Sequence, residues 1–166
     1  YHPAGFLFGF GGTLFDAEYN STINSPETVA FLNWIAHFNN TPGLFQSADD
    51  ATITSLFKEG KAASVVNGPW ASGDFKAVLA DNLAVAPMPL ISEASDAAPT
   101  PFLGVKHIMM SANAEGDQAA LAFAFMQFFT GPEAGDMLAK GAGHLPANTA
   151  VDVSADPIAA GFVEQA

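Results

Sequence analysis

The stretch FKEGKAASVVNGPW, residues 57–70, carries the signals that decide the predicted fold. Gly60 is the kind of residue that follows the last turn of a helix. Residues 62–66 form a short apolar run, which is typical of a strand covered on both faces. Residues 67–69, Asn-Gly-Pro, then make the chain turn. Trp70 is therefore predicted to lie at the carboxyl end of a central strand, where open α/β sheets bind ligands, and the alternative is that it is a core residue.

Composition excludes several classes of partner. The chain has 166 residues, with 5 Lys+Arg against 17 Asp+Glu and a net charge of -12. This acidity argues against nucleic acid and against an anionic membrane surface, because both require a basic face. No apolar run is long enough to predict a membrane span. The chain contains no cysteine, so it has no disulfide and no thiolate metal site.

Capping residues and breakers along the rest of the chain predict alternating helices and strands. The predicted helices cover residues 3–10, 25–38, 47–59, 117–129 and 132–139, with a short helix or turn over 71–79 and a last helix from 156 onward. The predicted strands cover residues 13–16, 62–66, 83–86 and 102–110. The fold class is thus α/β, with a small, mixed but mostly parallel sheet flanked by helices.

Two aromatic segments near the amino terminus are interpreted as packing elements. Residues 1–12 are rich in glycine, but no Lys-Ser or Lys-Thr pair follows, so close packing is favoured over a phosphate cradle. In the helix over 25–38, the periodicity predicts that Val29, Leu32, Ile35 and Ala36 form the buried stripe. Trp34 lies beside that stripe and is expected to be a partly buried packing residue.

The helix over 117–129 is apolar on nearly every side. A helix of this kind needs cover on more than one face. Leu121, Phe125, Phe128 and Phe129 can face one way, whereas Phe123 and Met126 point elsewhere. We therefore expect the chain, which begins with Tyr and looks like an excised or processed piece, to lack a partner surface. It should associate with itself, or pair with a complementary fragment, through this helix.

Several motifs in fixed order resemble a known family. The chain combines F-x-x-G-x-x-A over residues 57–63 with Asn-Gly-Pro-Trp over 67–70. Later blocks with matching order and spacing are Pro-Phe-Leu-Gly-Val at 101–105, Ser-Ala-Asn-Ala at 111–114, Thr-Gly-Pro-Glu-Ala-Gly at 130–135 and Gly-His-Leu-Pro-Ala at 143–147. This order resembles the second lobe of the extracellular sugar-binding proteins of ABC importers, maltose-binding proteins in particular.

The resemblance implies an architecture, a ligand and partners. The fold would be a lobe of the type II periplasmic-binding-protein kind, in a fragment of a two-lobed protein. Residues 1–105 would form the sugar-binding portion, and residues 106–166 would contain the crossover and the helices that begin by packing on the missing first lobe. The ligand would be maltose, maltodextrin or trehalose. The partners would be the ABC-importer membrane subunits, and the location would be extracytoplasmic, either periplasmic or as a cell-surface lipoprotein.

The candidate ligand-binding residues come partly from this resemblance. It assigns Tyr1 and Trp70 as aromatic walls of the sugar site, and we expect their rings to face the same cavity. Backbone groups around Gly68 would approach the ligand, and Lys106 at the crossover could reach hydroxyl groups or be a surface residue. Asp50 could also contact the sugar, although a helix-capping role for the Asp49-Asp50 pair is favoured.

Catalytic alternatives have less support in the sequence. A glycoside-acting enzyme needs two placed carboxylates, and none of the seventeen acids lies in a motif for this. The four histidines lack metal-ligand spacing. We therefore predict no catalytic residue, no metal and no cofactor, and we keep a glycoside-acting enzyme and a ligand-free structural or adhesion module as alternatives.

Overall fold

A computed structural model of the chain describes residues 2–94 and 98–166. Regular structure in these ranges is helical. The α-helices are α1 (Ala4–Gly9), α2 (Pro26–Ala36), α3 (Asp50–Lys58), α4 (Ser72–Leu79), α5 (Gly116–Phe129), α6 (Pro132–Ala142) and α7 (Pro157–Gln165). Short 3-10 helices cover His37–Asn40, Pro69–Ala71 and Ala80–Asn82.

Local capping explains where the helices begin and end. The Ser25 side chain accepts a hydrogen bond from the Thr28 backbone N–H at 3.2 Å, as the predicted start of α2 requires. Helix α3 is capped by Asp49, which accepts from the Ala51 N–H, rather than by Ser47. Gly60 follows α3 with a φ of +69°. The predicted helix stop at Gly60 is therefore confirmed.

The predicted sheet is not confirmed. Where the structure describes the chain it contains no β-strand, and its β-pairing is one isolated antiparallel bridge between Phe15 and Ser21. Residues 62–66, predicted to be a strand covered on both faces, form no regular structure, and Val66 is exposed. An apolar run predicts an extended segment, but a strand also needs a neighbouring strand for its backbone hydrogen bonds. No such neighbour lies beside this segment within the described ranges.

The chain divides into two compact units. Unit 1 contains residues 1–67, 87–102 and 165–166, and unit 2 contains residues 68–86 and 103–164. The lobe boundary predicted near residue 105 separates the halves of a longer protein. These two units do not test that boundary, which stays a prediction.

Unit 1 is built on aromatic packing between α1 and α2. The ring of Trp34 lies with its centroid 4.7 Å from Phe38, 5.3 Å from Phe6 and 5.7 Å from Phe10. These distances are typical of tilted and edge-to-face aromatic pairs. The prediction that Trp34 is a packing residue is confirmed.

The buried face of α2 differs from the predicted stripe. Thr28 and Phe31 are buried, whereas Val29 and Leu32 are about half exposed. The difference arises because α1 approaches the side of α2 that carries Phe31 and Trp34, as the Phe10–Phe31 and Phe10–Trp34 ring contacts show. The apolar residues of this helix lie on two overlapping faces, so the sequence period alone does not show which face is buried.

Glycines let α1 approach a neighbouring segment closely. A Cβ added to Gly5 would lie 2.9 Å from the Met88 sulfur and 3.1 Å from the Pro101 nitrogen. One turn later, a Cβ on Gly9 would lie 3.4 Å from Pro99. The structure therefore supports the interpretation that these glycines serve packing.

Unit 2 has a small core and one uncovered helix. Phe75 of α4, Ala134 of α6 and Ile158 of α7 are buried. Helix α5 has no buried residue, Met126 is partly buried, and five large apolar side chains of the helix are exposed by 38–72%. The exposed set consists of Leu121, Phe123, Phe125, Phe128 and Phe129. The expectation that this helix lacks cover is confirmed for the chain as it stands.

No helix of residues 2–94 and 98–166 combines the length and the hydropathy that crossing a membrane requires.

Candidate functional site

Trp70 is presented by a tight turn at the start of α4. Pro69–Ala71 forms a 3-10 helix, in which the Ala71 N–H donates to the Gly68 carbonyl at 3.1 Å. The Ser72 hydroxyl donates to the Pro69 carbonyl at 2.6 Å and closes the turn from the other side. The turn is therefore confirmed, but the central strand expected to precede it is not formed. Trp70 is 51% exposed.

The indole of Trp70 lies across Gly68. A Cβ added to Gly68 would be 2.2 Å from two carbons of the indole ring, which is closer than any real contact. Gly68 therefore provides the space that the ring occupies beside the backbone. This role differs from the predicted approach of Gly68 backbone groups to a ligand, which the structure leaves as a prediction. The Trp70 indole is therefore half exposed and held against the main chain.

Lys106 and His144 meet in the same unit as Trp70. The Lys106 ammonium lies 3.4 Å from Nε2 and 3.5 Å from Nδ1 of His144. Lys106 is exposed and His144 is half-buried. The predicted site residue Lys106 is thus joined by a histidine that the sequence did not assign to the site.

Gly143 places His144 beside the turn that presents Trp70. It ends α6 with a φ of +64°, in the left-handed region that favours glycine. A Cβ on Gly143 would lie 2.8 Å from the Ser72 hydroxyl and 3.6 Å from the Pro69 carbonyl oxygen. The loop after α6 is therefore packed directly on this turn.

The remaining predicted residues lie elsewhere. Asp50 is exposed in the first turn of α3 and belongs to unit 1. Its neighbour Asp49 makes the cap, and the Thr52 hydroxyl holds the pKa of Asp49 below its ordinary value. An open groove of about 280 Å³ along α3 is lined by Asp49, Thr52, Ser55 and Glu59, among others, but not by Asp50. Tyr1 lies outside the described residues.

The site offers binding chemistry. The indole ring of Trp70 can cover an apolar C–H surface of a ligand. The Lys106 ammonium and the His144 imidazole supply hydrogen-bond donors and an acceptor. Over residues 2–94 and 98–166, no three His, Asp or Glu side chains are grouped so that they could hold a metal ion.

Residues 2–161 match the sequence profile of the bacterial extracellular solute-binding proteins. The chain belongs to this family. This extracellular solute-binding family is also the one that the order of motifs indicated.

Two curated members of the family are similar to this chain over most of its length. A maltotriose-binding protein of Pyrococcus abyssi is 34% identical over 159 residues, which cover 92% of this chain and 34% of that protein. A maltodextrin-binding protein of Bacillus subtilis is 28% identical over 165 residues, covering 94% of this chain and 38% of that protein.

Two solved structures share the fold. A cyclo/maltodextrin-binding protein in complex with maltotetraose has a TM-score of 0.78 and 31% identity, and the match covers 99% of this chain and 44% of that one. The maltose/maltodextrin-binding domain of a protein from Bdellovibrio bacteriovorus, bound to maltotriose, has a TM-score of 0.79 and 25% identity, covering 99% and 45%. This solute-binding chain therefore spans between a third and a half of the length of these relatives.

Proposed function

We propose that the chain is the sugar-contacting portion of an extracellular binding protein that takes up malto-oligosaccharides without chemical change and delivers them to an ABC importer. The observation that carries this proposal is the indole of Trp70, which is half exposed and lies directly against Gly68. Sugar rings have apolar C–H faces that stack on flat aromatics, and their rims carry hydroxyls that need oriented polar partners.

The relatives support the choice of ligand. The similar proteins are named for maltotriose and maltodextrin, and the similar structures contain maltotetraose and maltotriose. The family is one of solute-binding proteins, so binding without catalysis is its ordinary activity. Maltotriose or a longer maltodextrin is therefore the preferred ligand, ahead of maltose and trehalose.

The other ligand residues keep the roles that the sequence suggested. Trp70 forms an aromatic wall of the sugar site, and Lys106 donates to hydroxyl oxygens unless it is a surface residue. The assignment of Tyr1 as a second wall stays a proposal, as does a sugar contact of Asp50, for which the sequence favoured helix capping. Trp70 and Lys106 lie in unit 2 near the same turn, so they have the strongest support from this structure.

The uncovered apolar surface supports a larger protein around this chain. The chain matches less than half of each relative, and α5 exposes several phenylalanines. Each large apolar side chain gains about 1.5–3 kcal/mol from full burial. We infer that residues 106–166 begin by packing on a further lobe of a protein with the type II periplasmic-binding-protein fold.

Calorimetric titration tests the proposed function. Maltotriose, maltotetraose, trehalose and cellotriose would each be titrated into the complete protein that contains this chain, because the chain alone holds only part of the proposed cleft, and the recovered sugar would be analysed by chromatography. Heat with maltotriose and maltotetraose, little heat with cellotriose, and unchanged sugar are expected. Shortened sugar would instead identify a glycoside-acting enzyme, and no heat with any sugar would favour a structural or adhesion module.

A further inference from the structure

The contact between Lys106 and His144 has an informative geometry. The two residues are 38 positions apart in the sequence, and the ammonium is nearly equidistant from both ring nitrogens, at 3.4 and 3.5 Å. Equal distances mean that the ammonium is not aligned with one nitrogen, as a single linear hydrogen bond would require. The hydrogen-bonding positions of the imidazole are therefore not committed to Lys106.

His144 is held in place by its own backbone N–H and by the residue that precedes it. Gly143 packs against Ser72 and Pro69, and the Gly143 N–H donates to the Ala139 carbonyl at 3.2 Å. The His144 N–H donates to the Leu138 carbonyl at 3.4 Å. A small cavity of about 20 Å³ beside the ring, lined in part by Ser72 and His144, has room for one water molecule at most. The imidazole thus belongs to a fixed loop next to the turn of Trp70.

We propose that His144 is a specificity-determining residue of the sugar site, where its imidazole and the Lys106 ammonium hydrogen-bond hydroxyl groups of the ring that stacks on Trp70. This inference rests on the proposed function. A neutral imidazole has one donor and one acceptor, and an ammonium has three donors. That set matches a pair of neighbouring hydroxyls, each of which donates and accepts.

Free neighbouring hydroxyl groups define the class of ligand that we expect this site to bind. A neutral sugar with free neighbouring hydroxyls satisfies both side chains, whereas a sugar that lacks one of these hydroxyls leaves a polar group of the site unpaired. Sites built to hydrogen-bond a hydroxyl discriminate strongly against analogues without it, because the site's polar groups then lose their partner. His144 should therefore contribute to selectivity as well as to affinity.

Variants at both positions test the proposal by calorimetric titration with maltotriose. His144→Ala and Lys106→Met should each weaken binding by about tenfold, on the scale of one hydrogen bond to a charged or strongly polar partner. The double variant should lose less than the product of the two single effects, because both side chains serve the same hydroxyls. The controls are His37→Ala and Lys76→Met, two exposed residues to which no ligand role is assigned, and they should bind as the wild type does.

A second measurement applies if His144→Ala does not fold. Imidazole resonances of the wild-type chain would be followed by NMR during titration with maltotriose. The His144 signals should shift with saturation, and those of His37 should not. Wild-type affinity retained in both variants, or His144 signals that stay fixed while maltotriose binds, would overturn the proposal and leave the proposed function intact. A complete wild-type protein that binds no sugar would overturn both.

Discussion

The two tryptophans of the chain occupy opposite environments. Trp34 is partly buried among Phe6, Phe10 and Phe38, with ring centroids 4.7–5.7 Å away. Trp70 is 51% exposed and lies on a glycine. Trp34 lies inside an amphipathic helix that faces another helix, whereas Trp70 opens a helix after a proline turn. The secondary structure that carries a large aromatic side chain therefore decides whether the side chain stabilises the fold or is available to a ligand.

Removing the packed ring should have the largest effect. Trp34→Ala is expected to destabilise the chain by about 2–3 kcal/mol, somewhat below the range for fully buried tryptophan because the ring is partly exposed. Denaturant unfolding followed by circular dichroism measures this change. Trp34→Phe is the control and should cost less, since it keeps an aromatic ring among its neighbours. Unchanged stability in Trp34→Ala would remove the distinction between the two tryptophans.

Removing the exposed ring should affect binding and leave folding almost unchanged. Trp70→Ala is expected to weaken maltotriose binding by about 10- to 100-fold, which corresponds to ~1–3 kcal/mol for a stacking aromatic at a binding surface. Calorimetric titration gives the affinity, and Trp70→Phe should retain most of it. If Trp70→Ala binds maltotriose as well as the wild type does, the indole is not the platform.

Displacing the Trp70 ring without removing it tests whether the position of the ring matters for binding. A Cβ at Gly68 would overlap the indole, so Gly68→Ala should push the ring off the backbone and weaken maltotriose binding by about tenfold. The matched control is Gly73→Ala, five residues later, where an added Cβ meets nothing within 4 Å. Equal affinities in the two variants would show that the position of the ring does not matter.

The aromatics of α5 extend the comparison to a third environment, exposed but on a helix. The double variant Leu121→Gln, Phe125→Gln should reduce self-association, because it removes two large apolar side chains from the uncovered face. Light scattering should then report a mass closer to the 17.2 kDa monomer than the wild type gives. Gln118→Ala with Gln127→Ala, on the same helix, is the control. A wild-type chain that is already monodisperse and monomeric would contradict the expectation.

The smallest expected effect concerns pH at the start of α3. The Thr52 hydroxyl and, to a lesser extent, the Ala51 N–H lower the pKa of Asp49. A carboxylate with a lowered folded-state pKa adds stability above its unfolded pKa of about 3.9, and this stability is lost as pH falls through the folded value. Asp49→Asn should therefore reduce the loss of stability that occurs as the pH falls below about 4. Denaturant unfolding at several pH values measures it, and identical slopes would exclude the cap as the cause.

The helices were predictable because their signals are local. Ser25 with Pro26, and Gly60 after Lys58, act within a few residues of the helix end that they define, and the structure confirms both. The uncovered state of α5 was predictable for a similar reason, since its composition leaves more than one apolar face.

The strands and part of the site were not predictable from local signals. Residues 62–66 read as a covered strand, but strand pairing depends on segments distant in sequence, and none pairs with them in the described ranges. His144 was missed because its link to Lys106 spans 38 residues and follows from how Gly143 packs on Ser72. The quoted motif around residue 143 was the only signal, and it indicated the family rather than a role for the histidine.

Tryptophan fluorescence tests the central claim most directly, because the chain has only two tryptophans. Trp34→Phe leaves Trp70 as the sole indole, and Trp70→Phe leaves Trp34. We expect maltotriose to shift the emission of the Trp34→Phe protein saturably, while the emission of the Trp70→Phe protein stays constant. A shift in the Trp70→Phe protein alone, or saturable maltotriose heat without any change in the Trp34→Phe emission, would contradict the assignment of Trp70 as the sugar platform.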